Sequence, residues 1–235
     1  MMTQTRVRWD AIRASLPIVT GYLPIAFAFG MAGVVNGLPP SLLLGMSAFI
    51  FAGASQFVLL AAIHSGTSWL LVLGLCALMD ARHLLYGAVL LPKLPDGLRR
   101  HLVVTAFTLT DEVFATALVR MSAVEKEQRN LWMGWLGLSS YLSWLVGTAL
   151  GAFAGVGLSQ RVPLLAQAMP FALPALFIVL VHKSFNRASQ LPIVISALVA
   201  SFCYLQGMTA LALLAGAVCG CGAVLIRSKY HGAVV

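Results

Sequence analysis

Asp80, Arg82 and His83 fall within four consecutive positions, and the nearest charged residue before them is Arg13. An acid, a permanent cation and an imidazole so close together can neutralise one another, or they can relay a proton, because His titrates near neutral pH. On a helix Asp80 and His83 share a face at i, i+3, whereas Arg82 lies about 160° round from Asp80, so one turn directs charge two ways. A second acidic knot stands at Asp111-Glu112. Either carboxylate, carried on a neighbouring segment, is a natural counter-ion for Arg82. Two readings fit this pattern: an ion pair that only fixes helix packing, and a proton or substrate relay.

Uncharged polar breaks add to the set. Gly53-Ala-Ser55-Gln56 interrupts an apolar run between Phe51 and Phe57, Gly21-Tyr22-Leu-Pro24 does something similar earlier, and Pro170 and Pro174 do so later. Backbone groups freed at such breaks suit a zwitterion, with half-helix N-termini favouring a carboxylate and acceptors favouring an ammonium. Taken singly, each glycine equally suits close helix packing. Thr105, Thr108 and Glu112 follow i, i+3, i+7 spacing, a polar stripe that would line a water-filled cavity or, on an interfacial helix, face headgroups. Trp135, Tyr141 and Trp144 are assigned to packing and interfacial belts.

The elements that must hold these residues are membrane spans. The 66 residues from Ala14 to Met79 contain no Asp, Glu, Lys or Arg, a length that rises roughly 100 Å as helix and crosses a ~30 Å hydrocarbon core about three times. The 235 residues are 60% hydrophobic and 9% charged, against roughly 25% charged in soluble domains. The net charge of +8 sits between apolar runs and reads as orientation signals and headgroup contacts rather than a nucleic-acid surface. Arg6, Arg8 and Arg13 before an apolar run imitate a secretory signal, but the run continues to Val35 and is expected to remain as the first span. Cys76, Cys203, Cys219 and Cys221 lie in apolar stretches without zinc spacing and are expected to be buried and inert. With no phosphate loop and no Ser-His-Asp spacing, neither ATP-driven transport nor hydrolysis is expected, and no cofactor is implied.

Apolar runs at 16–35, 42–63, 69–91, 102–119, 131–158, 164–181, 191–204 and 208–226 predict an all-α, polytopic integral membrane protein of seven or eight segments. The whole of 1–235 reads as one permease domain. A weak echo at an offset of 120, Phe51 to Phe57 against Phe171 to Phe177, suggests an internal repeat of 14–120 and 131–228. Basic loops place the N-terminus in the cytoplasm. Lys93, Arg99 and Arg100 disagree if every segment crosses, which leaves the crossing of segment 102–119 open, with a re-entrant, broken or interfacial course as the alternatives. Segment 191–204 is shorter than the ~17 residues a span needs and could be half of a discontinuous helix.

Gly21-Tyr22-Leu-Pro24, Phe51-Ala-Gly53-Ala-Ser55-Gln56-Phe57, Ala81-Arg82-His83-Leu-Leu-Tyr86-Gly87 and Thr110-Asp111-Glu112-Val-Phe114 resemble the signatures of AzlC-type proteins, the large subunits of bacterial branched-chain amino-acid exporters. The resemblance is strongest from Pro17 to Phe114. It implies a secondary transporter of the inner membrane that expels valine, leucine and isoleucine, with methionine a further candidate, and works with a small AzlD-type membrane subunit. In such relatives Asn often stands where this chain has Asp80, a departure that bears on charge balance and coupling. The combined expectation is a proton-driven carrier, not an enzyme. Gly21, Pro24, Phe51, Gly53, Ser55, Gln56 and Phe57 would form the substrate site, and Asp80, Arg82, His83, Asp111 and Glu112 would serve coupling or gating. A passive channel for small zwitterions and a structural membrane subunit are the rival readings. An apolar pocket separates side chains differing by one methylene by only ~1 to 3 kcal/mol, so shared substrates are expected.

Overall fold

The computed structural model describes residues 3–95, 99–162 and 190–231, with the isolated positions 164, 171 and 178. Among the described residues every regular element is helical, as an apolar environment demands of backbone groups that have no water to bond. The chain forms two compact units, Met1–Leu173 and Pro174–Val235. The sixth predicted segment and Pro170 and Pro174, with residues 172–177 of the echo, lie outside the described residues.

The first unit is built on a pair of long helices, α1 (Gln4–Val35) and α8 (Arg129–Arg161). Glycines let them touch. A Cβ on Gly147 would stand 2.7 Å from the Ala26 Cβ and 2.8 Å from the Leu23 carbonyl oxygen, and one on Gly151 would collide with the Phe27 carbonyl. Near one end Trp132 bonds Asp10, then Trp144 packs on Tyr22, then Gly155 on Met31. Partners therefore advance together along both helices, which run parallel. The predicted break at Gly21 to Pro24 is absent: α1 continues through Pro17 and Pro24. Neighbouring helices make such prolines tolerable in a membrane helix, and α8 supplies that support along its length.

Between the long helices the chain makes two hairpins and one crossing. Helix α2 (Pro40–Phe49) starts beside the C-terminal end of α1, where Leu43 fills the space over Gly33, and descends until Ser47 meets Thr148 and Ala48 meets Tyr141. It stops at mid-height, and α3 (Gly53–Ser65) turns back up, with Phe51 against Tyr22 and Phe57 against Phe29. Phe51 forms the bend with φ 40, the only described non-glycine residue with positive φ, a conformation that needs its surroundings to enforce it. A tight turn at Gly66 leads into α4 (Trp69–Asp80) and α5 (Arg82–Leu90), which descend past Ser55 to the N-terminal end of α1, where the Arg129 guanidinium donates to the Lys93 carbonyl. Helix α6 (Arg99–Phe107) ends against Tyr141 and Phe51 at mid-height, and α7 (Asp111–Arg120) runs from Tyr22 back toward Asp10.

The predicted segments 42–63 and 102–119 are therefore not spans. Each is a pair of half-length helices that enters from one end and returns to it, the first from the C-terminal end of α1 and the second from its N-terminal end. Within Met1–Leu173, only Gln4–Val35, Trp69–Lys93 and Lys126–Gly155 are long and apolar enough to cross, by length and composition, among the described residues. Arg6, Arg8, Lys93, Arg120 and Arg129 consequently gather at one end, which removes the conflict posed by the Lys93 loop.

In the second unit α9 (Gln190–Leu205) and α10 (Thr209–His231) pack antiparallel around the positive-φ Gly207. Gly216 lies over Ser196 and Ala200, and Gly220 over Pro192 and Ser196. Here α9 is one arm of a helical hairpin. Cys219 and Cys221 are exposed on α10 rather than buried, while Cys203 is buried and Cys76 half-buried. All four are free thiols.

Candidate functional site

The two hairpin tips meet around one aromatic cluster. Phe51, at the first tip, lies 6.3 Å from Phe107 at the second, and both rings pack on Tyr141, at 5.0 and 5.6 Å. Tyr22 joins them from α1, 5.2 Å from Trp144. Two mid-depth helix N-termini thus lie beside the same rings, and they differ in chemistry. The N-terminus of α7 carries its own acids, Asp111 and Glu112, and is capped by the Thr110 hydroxyl, which accepts from the Val113 amide. That of α3 has no side-chain cap. Its first amides are left for another acceptor, and its positive dipole end favours a negative group.

Charged and hydroxyl groups tie these termini to the crossing helix. Arg82 Nη1 lies 2.7 Å from Asp111 Oδ2, the pairing the sequence led one to expect. The same carboxylate accepts from the Tyr86 hydroxyl at 2.6 Å. Tyr22 Oη is 2.6 Å from both Glu112 Oε2 and Thr110 Oγ1. At the other tip Ser55 donates to Asp80 Oδ2 at 2.8 Å. Asp80 Oδ1 and Arg82 Nε are buried with no hydrogen-bond partner among the described residues. His83 reaches the group through Nδ1, 2.9 Å from the Asp80 carbonyl, with its ring edge on Tyr86. The chain departs from α-helix at Ala81, so the knot joins two helices rather than decorating one. Arg82 and Asp111 keep 40% and 30% of their side-chain surface exposed, so this face of the cluster is open.

Gln56 behaves differently. It is fully buried; its amide nitrogen donates to Ser47 Oγ at 3.0 Å and its oxygen accepts from Trp144 Nε1 at 2.8 Å, while Ser47 is 2.8 Å from Thr148 Oγ1. This run of hydrogen bonds ties both arms of the first hairpin to α8. Gly53 lets the Trp144 ring lie against the tip, since a Cβ there would stand 2.6 Å from it. Phe57 is buried against Phe29, away from the tip, and Gly21 and Pro24 are exposed on α1. The structure thus brings together Phe51, Gly53, Ser55, Asp80, Arg82, His83, Asp111 and Glu112. It leaves Phe57, Gly21 and Pro24 at the margin.

Thr105, Thr108 and Glu112 do not form one helical stripe, because the chain bends between Phe107 and Asp111. Thr108 instead bonds the Val104 carbonyl and packs against Gly137. Trp144 is buried in the core cluster and Tyr141, half-buried, packs against it, so both serve packing. Sequence reasoning passed over Tyr22 and Tyr86 as site residues. Their signal was available: a tyrosine inside an apolar run needs a partner for its hydroxyl, and carboxylates were the scarce acceptors on offer.

The family description AzlC protein matches residues 17–158, a stretch that contains α1 from Pro17 onward, both hairpins and most of α8. The chain is 41% identical over 230 residues to the Inner membrane protein YgaZ of Escherichia coli (strain K12), covering 95% of this chain and 92% of that protein. It is 34% identical over 206 residues to an uncharacterized membrane protein of Archaeoglobus fulgidus, covering 88% and 89%. To the Branched-chain amino acid transport protein AzlC of Bacillus subtilis (strain 168) it is 28% identical over 190 residues, covering 77% and 71%. No solved structure matches the chain. With the family pattern spanning the very helices that build the two-tipped site, the chain belongs to the AzlC family of membrane proteins.

Proposed function

We propose that this chain is a proton-driven secondary transporter that exports branched-chain amino acids, chiefly valine, leucine and isoleucine, across the bacterial inner membrane, its N-terminus in the cytoplasm and a small AzlD-type subunit beside it. The observation that carries this reading is the pair of unlike helix N-termini beside the same aromatic rings, one uncapped and one acidic. A zwitterion needs both. The uncapped α3 terminus suits its carboxylate, through the amides of Gly53 and Ser55, and Glu112, with one oxygen on Tyr22, suits its ammonium. Phe51 and Phe107 offer apolar surface for a branched side chain. Gln56, already engaged on both sides, contributes by holding the tip in shape.

Coupling follows from competition. A proton and a substrate ammonium cannot both be held by one carboxylate at full strength, so loading Glu112 with a proton releases the amino acid. Arg82 and Tyr86 both engage Asp111, which leaves Glu112 as the proposed exchanging acid, with Asp80 beside Ser55 as the second coupling carboxylate. Hairpins entering from opposite ends toward a central site are the kind of element that alternating access uses, and the basic residues at the N-terminal end fit a cytoplasmic location.

Glu112→Gln should insert and assemble normally, since an amide oxygen still accepts from Tyr22, yet lose the pH dependence of efflux. Leucine efflux from vesicles measured at several imposed pH gradients checks this. Unchanged pH dependence would remove Glu112 from coupling.

A further inference from the structure

A cavity with two charged residues in a mainly apolar lining lies away from the hairpin tips. It encloses about 270 Å³ at the N-terminal end of α1 and is lined by Val7, Asp10, Val119, Arg120, Val124 and Trp132. Asp10 has one oxygen fixed by Trp132 Nε1 at 2.8 Å, and its other oxygen has no hydrogen bond among the described residues. Arg120 closes α7, lines the same cavity and is exposed. Among the described residues these two charges do not pair with each other, although they line one cavity. Val7 and Trp132 are fully buried and Val124 nearly so, which gives the cavity apolar lining beside the two opposite charges.

Its depth is set by the sequence. Asp10 lies one helical turn before the charge-free run that starts at Ala14, about 6 Å along the axis, and Lys126 and Arg129 lie nearby in the chain at the start of α8. A charged stretch that borders a long apolar run is expected at the headgroup level. A ligand that satisfies both charges carries a primary ammonium for Asp10 and an anion for Arg120, with a short apolar stem for Val7, Val124 and Trp132.

We infer that this cavity is a binding site for a zwitterionic amine-anion group, supplied either by a phosphatidylethanolamine headgroup or by a free amino acid, and distinct from the site at the hairpin tips. It does not depend on the transport reading.

The purified full chain in detergent, freed of lipid, provides the test with dihexanoyl phosphatidylethanolamine, dihexanoyl phosphatidylglycerol and leucine as probes. D10N keeps an acceptor for Trp132 and R120Q alters an exposed side chain, so both should fold, which melting temperature verifies. Should D10N fail to fold, R120Q carries the test alone. Each variant should weaken phosphatidylethanolamine binding about tenfold, equivalent to ~1.4 kcal/mol, while phosphatidylglycerol, which lacks the ammonium, binds more weakly to the wild type and is insensitive to D10N. A loss of that size for leucine instead, with phosphatidylethanolamine unaffected, would identify the free amino acid as the source and equally support the site. Affinities of phosphatidylethanolamine and leucine both unchanged in the folded variants would overturn it, as would equal affinity for the two lipids together with leucine binding that neither variant weakens.

Discussion

Replacing Arg82 with Gln should abolish transport and lower stability by roughly 2 to 3 kcal/mol, the order associated with an uncompensated charge in the middle of a membrane helix. In water a pair with 40% and 30% of its side-chain surface exposed would be worth little. Here Asp111 stands at the tip of a hairpin that stops mid-way through an apolar bundle, so its carboxylate has few alternatives once the guanidinium is gone; the Tyr86 hydroxyl alone would remain. The double variant Arg82→Gln/Asp111→Asn removes both charges. It should recover most of the melting temperature in detergent without recovering leucine efflux. Recovery of both would make the pair a packing device, and failure to recover stability would mean that Arg82 acts through groups other than Asp111.

Gly151→Leu should be the most destabilising single change in the first unit, costing about 3 kcal/mol or more. A Cβ on Gly151 would collide with the Phe27 carbonyl and stand 2.9 Å from the Met31 amide nitrogen, both backbone groups of α1 that cannot move aside without parting the helices. Since α1 and α8 carry Tyr22, Tyr141, Trp144 and Thr148, separating them also dismantles both tips. Gly134 lies on the same helix, and a Cβ there would meet nothing within 4 Å, so it supplies the control. Gly134→Ala should change stability by less than about 0.5 kcal/mol. Detergent melting curves of the two variants decide, and equal losses would show that the glycine seam is not what holds the pair.

Much of this arrangement was legible in the residues themselves. A charge-free run of such length permits little but membrane helices, the Arg82 and Asp111 partners were among very few charges in apolar segments, and Gly53 to Gln56 marked a real interruption. The direction of the half-helices was not legible. A helix that breaks and continues has the same composition as one that breaks and returns, and only the contacts of Phe57 with Phe29, or of Thr110 with Tyr22, distinguish them. One clue did exist: Lys93, Arg99 and Arg100 could join the other basic residues at one end only if segments 42–63 and 102–119 did not both cross while the rest did. Pro24 misled for the opposite reason, since local chemistry favours a break while the long contact with α8 holds the helix together. Gln56 looked like a ligand because amides in apolar runs are unusual. Ser47 on the other arm of the hairpin and Trp144, 88 residues away in sequence, satisfy it internally.

The proposed carrier is most directly tested by counterflow of labelled leucine in vesicles that hold this chain, with and without the AzlD-type subunit proposed as its partner, while internal pH is recorded. Vesicles preloaded with unlabelled leucine should transiently concentrate the label above its external level, and outward leucine movement should carry protons inward. Label that only equilibrates, at a rate indifferent to the pH gradient, would contradict an exchanging carboxylate between two hairpin tips and leave a passive pore.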